Sequence, residues 1–242
     1  MKSEKFSVYE MTRQFYLHQP VQLQADTTTS STNSLAKDAA INADLTPCVY
    51  LAGEQTAGRG RFNRTWENGS TAGDNLLITW SFALDKAPQP IAGAAIGLTL
   101  YQALQQIWPQ APWGLKPPND IYLGDKKVLG VLLETVTSGS RHRLIVGVGL
   151  NIFSHPSHVP DAGHLSEKLD LSPSHFQDFL KALEARWPHF LSLATENKLP
   201  ADIREQLLVA LNRCSHNPQP FLEITENGDL VTSSARISWR NL

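Results

Sequence analysis

Residues 54–66 read EQTAGRGRFNRTW and follow, after Gly53, an apolar run, PCVYLA, at residues 47–52. The apolar run predicts a buried strand, and the loop after it carries two glycines and three arginines. Glycine allows the backbone to approach a ligand, and the arginine guanidinium matches carboxylate and phosphate groups. Taken alone, such a loop is more typical of a solvated basic surface. Motifs further along the chain make an anion-binding loop the better interpretation.

Polar residues interrupt the predicted elements at three further places. Residues 26–34 read DTTTSSTNS, which predicts a turn and then a helix N-cap. Residues 116–120 read KPPND between two apolar runs, a pattern that is by itself typical of a tight turn. Residues 144–152 predict an apolar strand with two internal glycines, which indicate either a bulge or the close approach of a ligand or another backbone.

The remaining pattern predicts a chain of alternating strands and helices. Helices are predicted at residues 91–107, from Ser172-Pro173 onward, and after Leu199-Pro200. Strands are predicted at residues 15–17, 21–23, 75–82, 128–134, 220–224 and 230–237. A chain of 242 residues is long enough for one large domain with a small second one.

Composition excludes several classes of protein. The formal net charge is −2, so the chain has no basic field for general nucleic-acid binding, and no 18-residue apolar run predicts a membrane span. Two cysteines form no disulfide framework, which favours a reducing, cytoplasmic location. Three histidines, His155, His158 and His164, lie close together, but they lack a His-x-x-x-His spacing or a cysteine partner, so no metal site is predicted.

Five motifs, taken in order, resemble those of the catalytic domain of the biotin protein ligases, the biotin–[acetyl-CoA-carboxylase] ligases. That family shows Ser-Thr-Asn, Gly-Arg-Gly-Arg, Lys-Trp-Pro-Asn-Asp, Lys-x-x-Gly-x-Leu-x-Glu and Gly-x-Gly-x-Asn in the same order and at similar spacing. The corresponding stretches here are STN at 31–33, QTAGRGR at 55–61 with Trp66, KPPND at 116–120, KVLGVLLE at 127–134, and GVGLN at 147–151. Each motif is weak or moderate alone, and five in register are specific.

The resemblance implies a fold and a reaction. It implies an α+β catalytic domain with a mixed sheet, similar to class II aminoacyl-tRNA synthetases, over residues 1–213, followed by a shortened SH3-like β segment over residues 214–242. It implies that biotin and ATP, with Mg²⁺, form biotinyl-5′-AMP, and that biotin then passes to a lysine of a biotin carboxyl carrier protein, an acetyl-CoA carboxylase subunit. The chain resembles the short form of the family, which has no N-terminal DNA-binding domain. The expected assembly is a monomer or a homodimer.

Adenylation brings two anions together, the biotin carboxylate and the α-phosphate, so a cation between them stabilises the transition state. Lys116, held by the prolines after it, is the first choice for this catalytic role, and Arg61 is the second, as a clamp on carboxylate and phosphate.

The resemblance also implies roles in substrate binding for other residues of the motifs. Ser31, Thr32 and Gln55 would hold the ureido ring of biotin, with Arg59 and the Gly58 amide closing that site and Asn33 beside it. Trp66 would stack on adenine, Asn151 would lie near adenine and ribose, and Lys127 near the carboxylate and phosphate. Gly147 and Gly149 would form the floor, and Asn119 would lie near the substrates without being assigned as a metal ligand.

Pro117 is a departure, because the family has tryptophan at this position of the motif. Two alternatives to a biotin protein ligase stay open. Lipoate ligases and octanoyltransferases belong to the same superfamily, but they lack the Gly-Arg-Gly-Arg and Lys-x-Pro-Asn-Asp pair in this form. A non-catalytic binder of biotin or biotinyl-adenylate would follow from Pro117 and the shortened tail, whereas the intact Lys116, Arg59 and Arg61 favour an enzyme.

Overall fold

A seven-stranded mixed sheet carries helices on both of its faces. The structure is a computed structural model that describes residues 5–41 and 46–239. Within this part of the chain the α-helices are α1 Val8–Leu17, α2 Thr32–Ile41, α3 Ala92–Ile107, α4 Pro173–Glu184, α5 Trp187–Ala194 and α6 Ala201–Asn212. The strands are β1 Gln22–Thr29, β2 Cys48–Gln55, β3 Leu76–Leu84, β4 Trp113–Lys116, β5 Asp120–Leu123, β6 Lys126–Ser138, β7 Arg141–Leu150, β8 Glu223–Ile224, β9 Leu230–Val231 and β10 Arg236–Ile237.

The large sheet has the strand order β1-β2-β3-β7-β6-β5-β4. The β1 and β2 strands are parallel, and the other neighbouring pairs are antiparallel. A second, antiparallel sheet has the order β10-β9-β8. The predicted α+β fold with a mixed sheet is therefore confirmed.

Strand alternation separates two faces of the large sheet, because successive side chains point to opposite sides. In β2, Val49 and Leu51 enter the main core, which also contains side chains of α1 and α3 to α6. Cys48 and Tyr50 instead pack with Ala36 and Ala40 of α2 in a second, smaller cluster. The site described below lies on this second face, which we call the α2 face.

Helix α3 shows how the main core supports that site. The helix has no charged residue, and Ile96, Leu100 and Leu104 are fully buried. Each such side chain contributes about 1.5–3 kcal/mol when it is removed from water. The helix predicted at residues 91–107 is confirmed, and its burial supports the sheet from the side opposite α2.

Two local predictions near the N-terminus are wrong. Residues 15–17 lie in α1 rather than in a strand, because Val8, Thr12 and Tyr16 form a buried stripe at helical spacing and Ser7 caps the helix. Thr12 is polar, so the stripe does not stand out as an apolar pattern in the sequence. The hydroxyl-rich residues 26–29 belong to β1 rather than to a turn, since they pair with β2 and threonine favours strands.

The C-terminal part forms three short strands, whereas two longer ones were predicted. Phe221, Ile224 and Leu230 from this part join the main core. The division into two domains at residue 213 stays a prediction. No helix in the described part of the chain is long and apolar enough to cross a membrane.

Candidate functional site

A cavity of about 130 Å³ lies on the α2 face, at the start of α2 and beneath the loop that follows β2. Most of the predicted site residues line it, although they are dispersed over more than a hundred positions of the chain. These residues are Ser31, Thr32, Asn33, Gln55, Arg59, Arg61, Trp66, Asn119, Lys127, Gly147 and Gly149.

The loop over residues 56–66 is held closed by backbone hydrogen bonds. The Thr56 N–H donates to Thr29 O at the end of β1 (2.9 Å), and the Trp66 N–H donates back to Gly58 O (2.9 Å). The Gly60 N–H donates to Arg64 O (2.7 Å). The loop thus returns on itself and brings Trp66 over the strands, while the arginines between stay at the rim of the cavity.

One end of the cavity is a network of uncharged polar groups. Gln55 Oε1 accepts hydrogen bonds from the Thr32 N–H (2.7 Å) and the Thr32 hydroxyl (3.1 Å). The Thr79 hydroxyl lies 2.8 Å from Thr32 Oγ1 and 2.7 Å from Asn33 Oδ1. Thr79 was not predicted as part of the site, although a fully buried hydroxyl within the apolar strand β3 needs a partner. This end offers both donors and acceptors to a neutral polar ligand group.

The floor of the cavity depends on glycines in two neighbouring strands. A Cβ atom at Gly149 would lie 2.8 Å from Trp66 Nε1, and one at Gly130 would lie 2.8 Å from Trp66 Cζ3. Only residues without a side chain allow the indole to approach the strands this closely. Trp66 Nε1 is buried and has no hydrogen-bond partner among the described residues. A donor left in this state is available to a ligand.

The other end of the cavity is cationic. Lys127 Nζ lies 2.7 Å from Asp120 Oδ1 and 5.8 Å from the centre of the Trp66 ring. Arg61 lines both this cavity and an adjoining, more apolar one of about 350 Å³, and Asn119 does the same. Burial lowers the pKa of Arg61 and Asp120 opposes this shift, and a guanidinium stays charged at neutral pH. Arg61 therefore presents a positive charge to both cavities.

A second cluster fixes the position of Arg59. Its two terminal nitrogens bind the two carboxylate oxygens of Glu134 at 3.2 and 2.5 Å. Lys37 (3.2 Å) and the Asn33 amide (3.1 Å) bind the same carboxylate. Glu134 was not predicted as a site residue, although it ends the Lys-x-x-Gly-x-Leu-x-Glu motif. The carboxylate joins α2, β6 and the arginine loop.

Glu134 also gives a pH-dependent prediction. Burial acts to raise its pKa, but hydrogen bonds from Asn33 and Arg59 outweigh burial, so the pKa is lowered. A carboxylate with a lowered folded-state pKa stabilises the fold above its unfolded pKa of about 4.3, and this stabilisation is lost as the pH falls through the folded value. We expect Glu134→Gln to lower the free energy of unfolding by about 1–3 kcal/mol at neutral pH. Urea unfolding of both proteins should show this difference shrinking toward zero on acidification, and a difference independent of pH would contradict the role of the charge.

Three predicted residues do not line the cavity. Gly58 contributes its backbone to the loop closure described above. Asn151 is buried and donates through Nδ2 to Gly163 O (3.0 Å), so it holds the loop after β7. Lys116 pairs in register with Asp120 across β4 and β5, and its Nζ lies 5.5 Å from the centre of the Tyr122 ring. Lys116 thus lies one strand beyond the edge of the cavity, and its catalytic role stays a prediction.

Comparison with known proteins shows the family of the chain. A model described as the biotin/lipoate A/B protein ligase family matches residues 25–151. The chain is 35% identical over 175 residues to the biotin–[acetyl-CoA-carboxylase] ligase of Paracoccus denitrificans, across 66% of this chain and 70% of that protein. It is 33% identical over 135 residues to the bifunctional ligase/repressor BirA of Bacillus subtilis (strain 168), across 54% of this chain and 41% of that protein. The match thus spans less than half the length of that relative.

Solved structures with a similar fold include a biotin protein ligase. The structure of a biotin protein ligase from Aquifex aeolicus in complex with biotin and ATP superposes with a TM-score of 0.65 at 23% identity, and the match covers 89% of this chain and 94% of that one. At this identity the likeness concerns the fold, and it agrees with the predicted catalytic-domain architecture. The sequence match over residues 25–151 includes the strands, loops and glycines that form the cavity. The chain therefore belongs to the biotin/lipoate A/B protein ligase family.

Proposed function

We propose that this chain is a biotin protein ligase, which joins biotin to ATP as biotinyl-5′-AMP, with release of pyrophosphate, and then transfers the biotinyl group to a lysine of a biotin carboxyl carrier protein. The observation that carries the proposal is the polarity of the cavity. Uncharged donors and acceptors line one end, and Arg61 and Lys127 line the other. Biotin has the same polarity, with a ureido ring at one end and a carboxylate at the other.

The uncharged end suits the ureido ring. Ser31, Thr32 and Gln55 supply hydroxyl and amide groups there, and each of these can donate or accept. Arg59 is held by Glu134 at the side of this end and orders the loop around the ligand. Asn33 and Gly147 close the inner wall, since a side chain at residue 147 would overlap the Asn33 amide.

The cationic end suits the reaction. Lys127 and Arg61 both line the cavity and would contact the biotin carboxylate and the α-phosphate that it attacks. Positive charge there would offset the repulsion between the two anions. Lys116, on the next strand, would act on the phosphates from the side. Trp66 would form the aromatic wall against the adenylate, and Asn151 would keep the neighbouring loop in place.

ATP arrives with Mg²⁺, which neutralises phosphate charge when it is bound. Asp120 and Asn119 both line the cavity, and their side-chain oxygens are of the kind that a hard cation prefers, with Asp120 already paired with Lys127. We further propose cytoplasmic action, where ATP and carrier proteins are present, by a monomer or homodimer without a DNA-binding role.

The test is transfer to a carrier. The purified chain is incubated with biotin, Mg-ATP and an isolated biotin carboxyl carrier domain, and the mass of the carrier is measured. We expect one added biotinyl group, and none on a carrier whose acceptor lysine is changed to arginine. A lipoyl-carrier domain with lipoate or octanoate serves as the competing acceptor system. Modification of that domain, with an unmodified biotin carrier, would overturn the proposal.

A further inference from the structure

Two histidines that are separated in sequence meet in the loop that follows β7. His155 and His164 approach each other through their Nδ1 atoms, which lie 2.8 Å apart. Glu167 Oε1 lies 3.5 Å from the His155 Nδ1 and 3.3 Å from the His164 Nδ1. The three side chains keep partial exposure of 23%, 20% and 36%, so an ion from solvent can reach them. This cluster takes no part in the proposed ligase reaction.

The separations suit a small tetrahedral metal ion. Zinc binds imidazole nitrogen and carboxylate oxygen at about 2.0–2.2 Å, so two of its ligand atoms lie about 3.3–3.5 Å apart. Both distances to the Glu167 oxygen already fall in or near this range. The two imidazole nitrogens need to separate by about half an ångström, which small side-chain rotations supply. Two histidines and one carboxylate leave a fourth tetrahedral position for water.

The carboxylate is oriented by the backbone. Glu167 Oε2 faces the His164 N–H at 3.5 Å, at the start of the short 3₁₀ helix over residues 165–167, and this leaves Oε1 directed at both imidazoles. The nearby Lys5 and Asp74 form an ion pair with each other, with Lys5 Nζ 2.8 Å from Asp74 Oδ2. The third histidine of this loop, His158, points elsewhere and pairs with Glu67 at 2.8 Å.

We propose that His155, His164 and Glu167 form a binding site for a divalent transition-metal ion of the zinc class. The site lies in the segment that supports the cationic end of the cavity. The Lys127 N–H donates to Asp161 O (2.7 Å), and the Leu165 N–H donates to Asn151 O (3.1 Å). An ion that joins His155 to Glu167 closes this segment into a rigid loop, and therefore stabilises the folded chain by mass action.

The test uses untagged protein that has been stripped of metal with a chelator. Zinc is titrated calorimetrically and in competition with a chromophoric chelator. We expect one zinc per chain, an affinity at least 10-fold lower in His155→Asn and in His164→Asn, and a rise in Tm on adding zinc that His164→Asn loses. His158→Asn, a change of the same type in the same loop, should bind zinc as the wild type does.

Glu167→Gln keeps an oxygen acceptor for the His164 N–H and therefore keeps the local fold, so it decides the question if the histidine variants unfold. We expect it also to weaken zinc binding. The proposal is overturned if the wild type binds no zinc, if His155, His164 and Glu167 variants bind as tightly as the wild type, or if His158→Asn loses as much affinity as they do. The readout is independent of ligase activity, so the failure of one proposal leaves the other intact.

Discussion

Replacing Lys127 with methionine should slow biotin-dependent release of pyrophosphate about 100- to 1,000-fold, the effect typical of removing one charged or hydrogen-bonding group from a developing negative charge. Lys127 lies inside the cavity at its cationic end, beside Asp120 and Trp66. Methionine keeps the length and the apolar stem of the side chain, so the loss is that of the charge. Steady-state rates over a range of biotin and ATP concentrations give the measurement.

The neighbouring lysine is a matched control. Lys126 lies next to Lys127 in β6, but its ammonium group donates to Pro160 O at 2.7 Å, outside the cavity. Lys126→Met should retain the wild-type rate. Lys116→Met, measured in parallel, tests the lysine of the KPPND motif, and we expect a loss there too if it acts on the phosphates. A wild-type rate in Lys127→Met would contradict the assignment of the cationic end.

The second large effect concerns the floor of the cavity. Gly149→Ala places a methyl group against the Trp66 indole, and overpacking of this kind lowers the free energy of unfolding by about 1–3 kcal/mol. It should also weaken biotin binding, because Trp66 is displaced into the cavity. Urea unfolding followed by circular dichroism measures the first effect, and calorimetric titration with biotin measures the second.

A double-mutant cycle separates the contact from the general effect of alanine in a strand. In a Trp66→Ala background the destabilisation by Gly149→Ala should largely vanish, because the three heavy atoms nearest to the added methyl group all belong to the Trp66 indole. Gly60→Ala, in the loop over residues 56–66, adds a methyl group at another glycine of the cavity without a clash, since its Cβ would lie 3.4 Å from Arg64 O, which is ordinary contact. The same destabilisation by Gly149→Ala with and without Trp66 would show that the indole does not rest on this glycine.

The parts of the molecule that were predictable are those in which local pattern and tertiary role agree. The helix at residues 91–107 and the strand at residues 75–82 carry long apolar stretches, and both are present with ends shifted by only a few residues. The site motifs were recognisable because they combine glycines, which form the floor of the cavity, with arginine and lysine, which line it. The fold class followed from the family resemblance that those motifs carry, rather than from periodicity.

The features of the site that were not predicted depend on contacts between residues that are distant in the sequence. Thr79 lies in a mostly apolar strand, and Glu134 ends a recognised motif but has its partners far away in the sequence. Their roles appear only when α2 is placed on the sheet beside them. Similarly, His155 and His164 have no metal-binding spacing in sequence, because the turn that brings their Nδ1 atoms together is irregular backbone. Lys116 shows the converse, since its motif marks it as a site residue while the cavity ends one strand away.

The most direct test of the proposed ligase activity is release of pyrophosphate from Mg-ATP by the purified chain in the presence of biotin, lipoate or octanoate. We expect release with biotin and none above background with the other two acids, because the uncharged end of the cavity is built from donors and acceptors that suit a ureido ring. Release with lipoate or octanoate instead would contradict this reading of the cavity. Tight binding of biotin, with no release of pyrophosphate in the presence of any of the three acids, would contradict catalysis and would make the chain a non-catalytic binder of biotin.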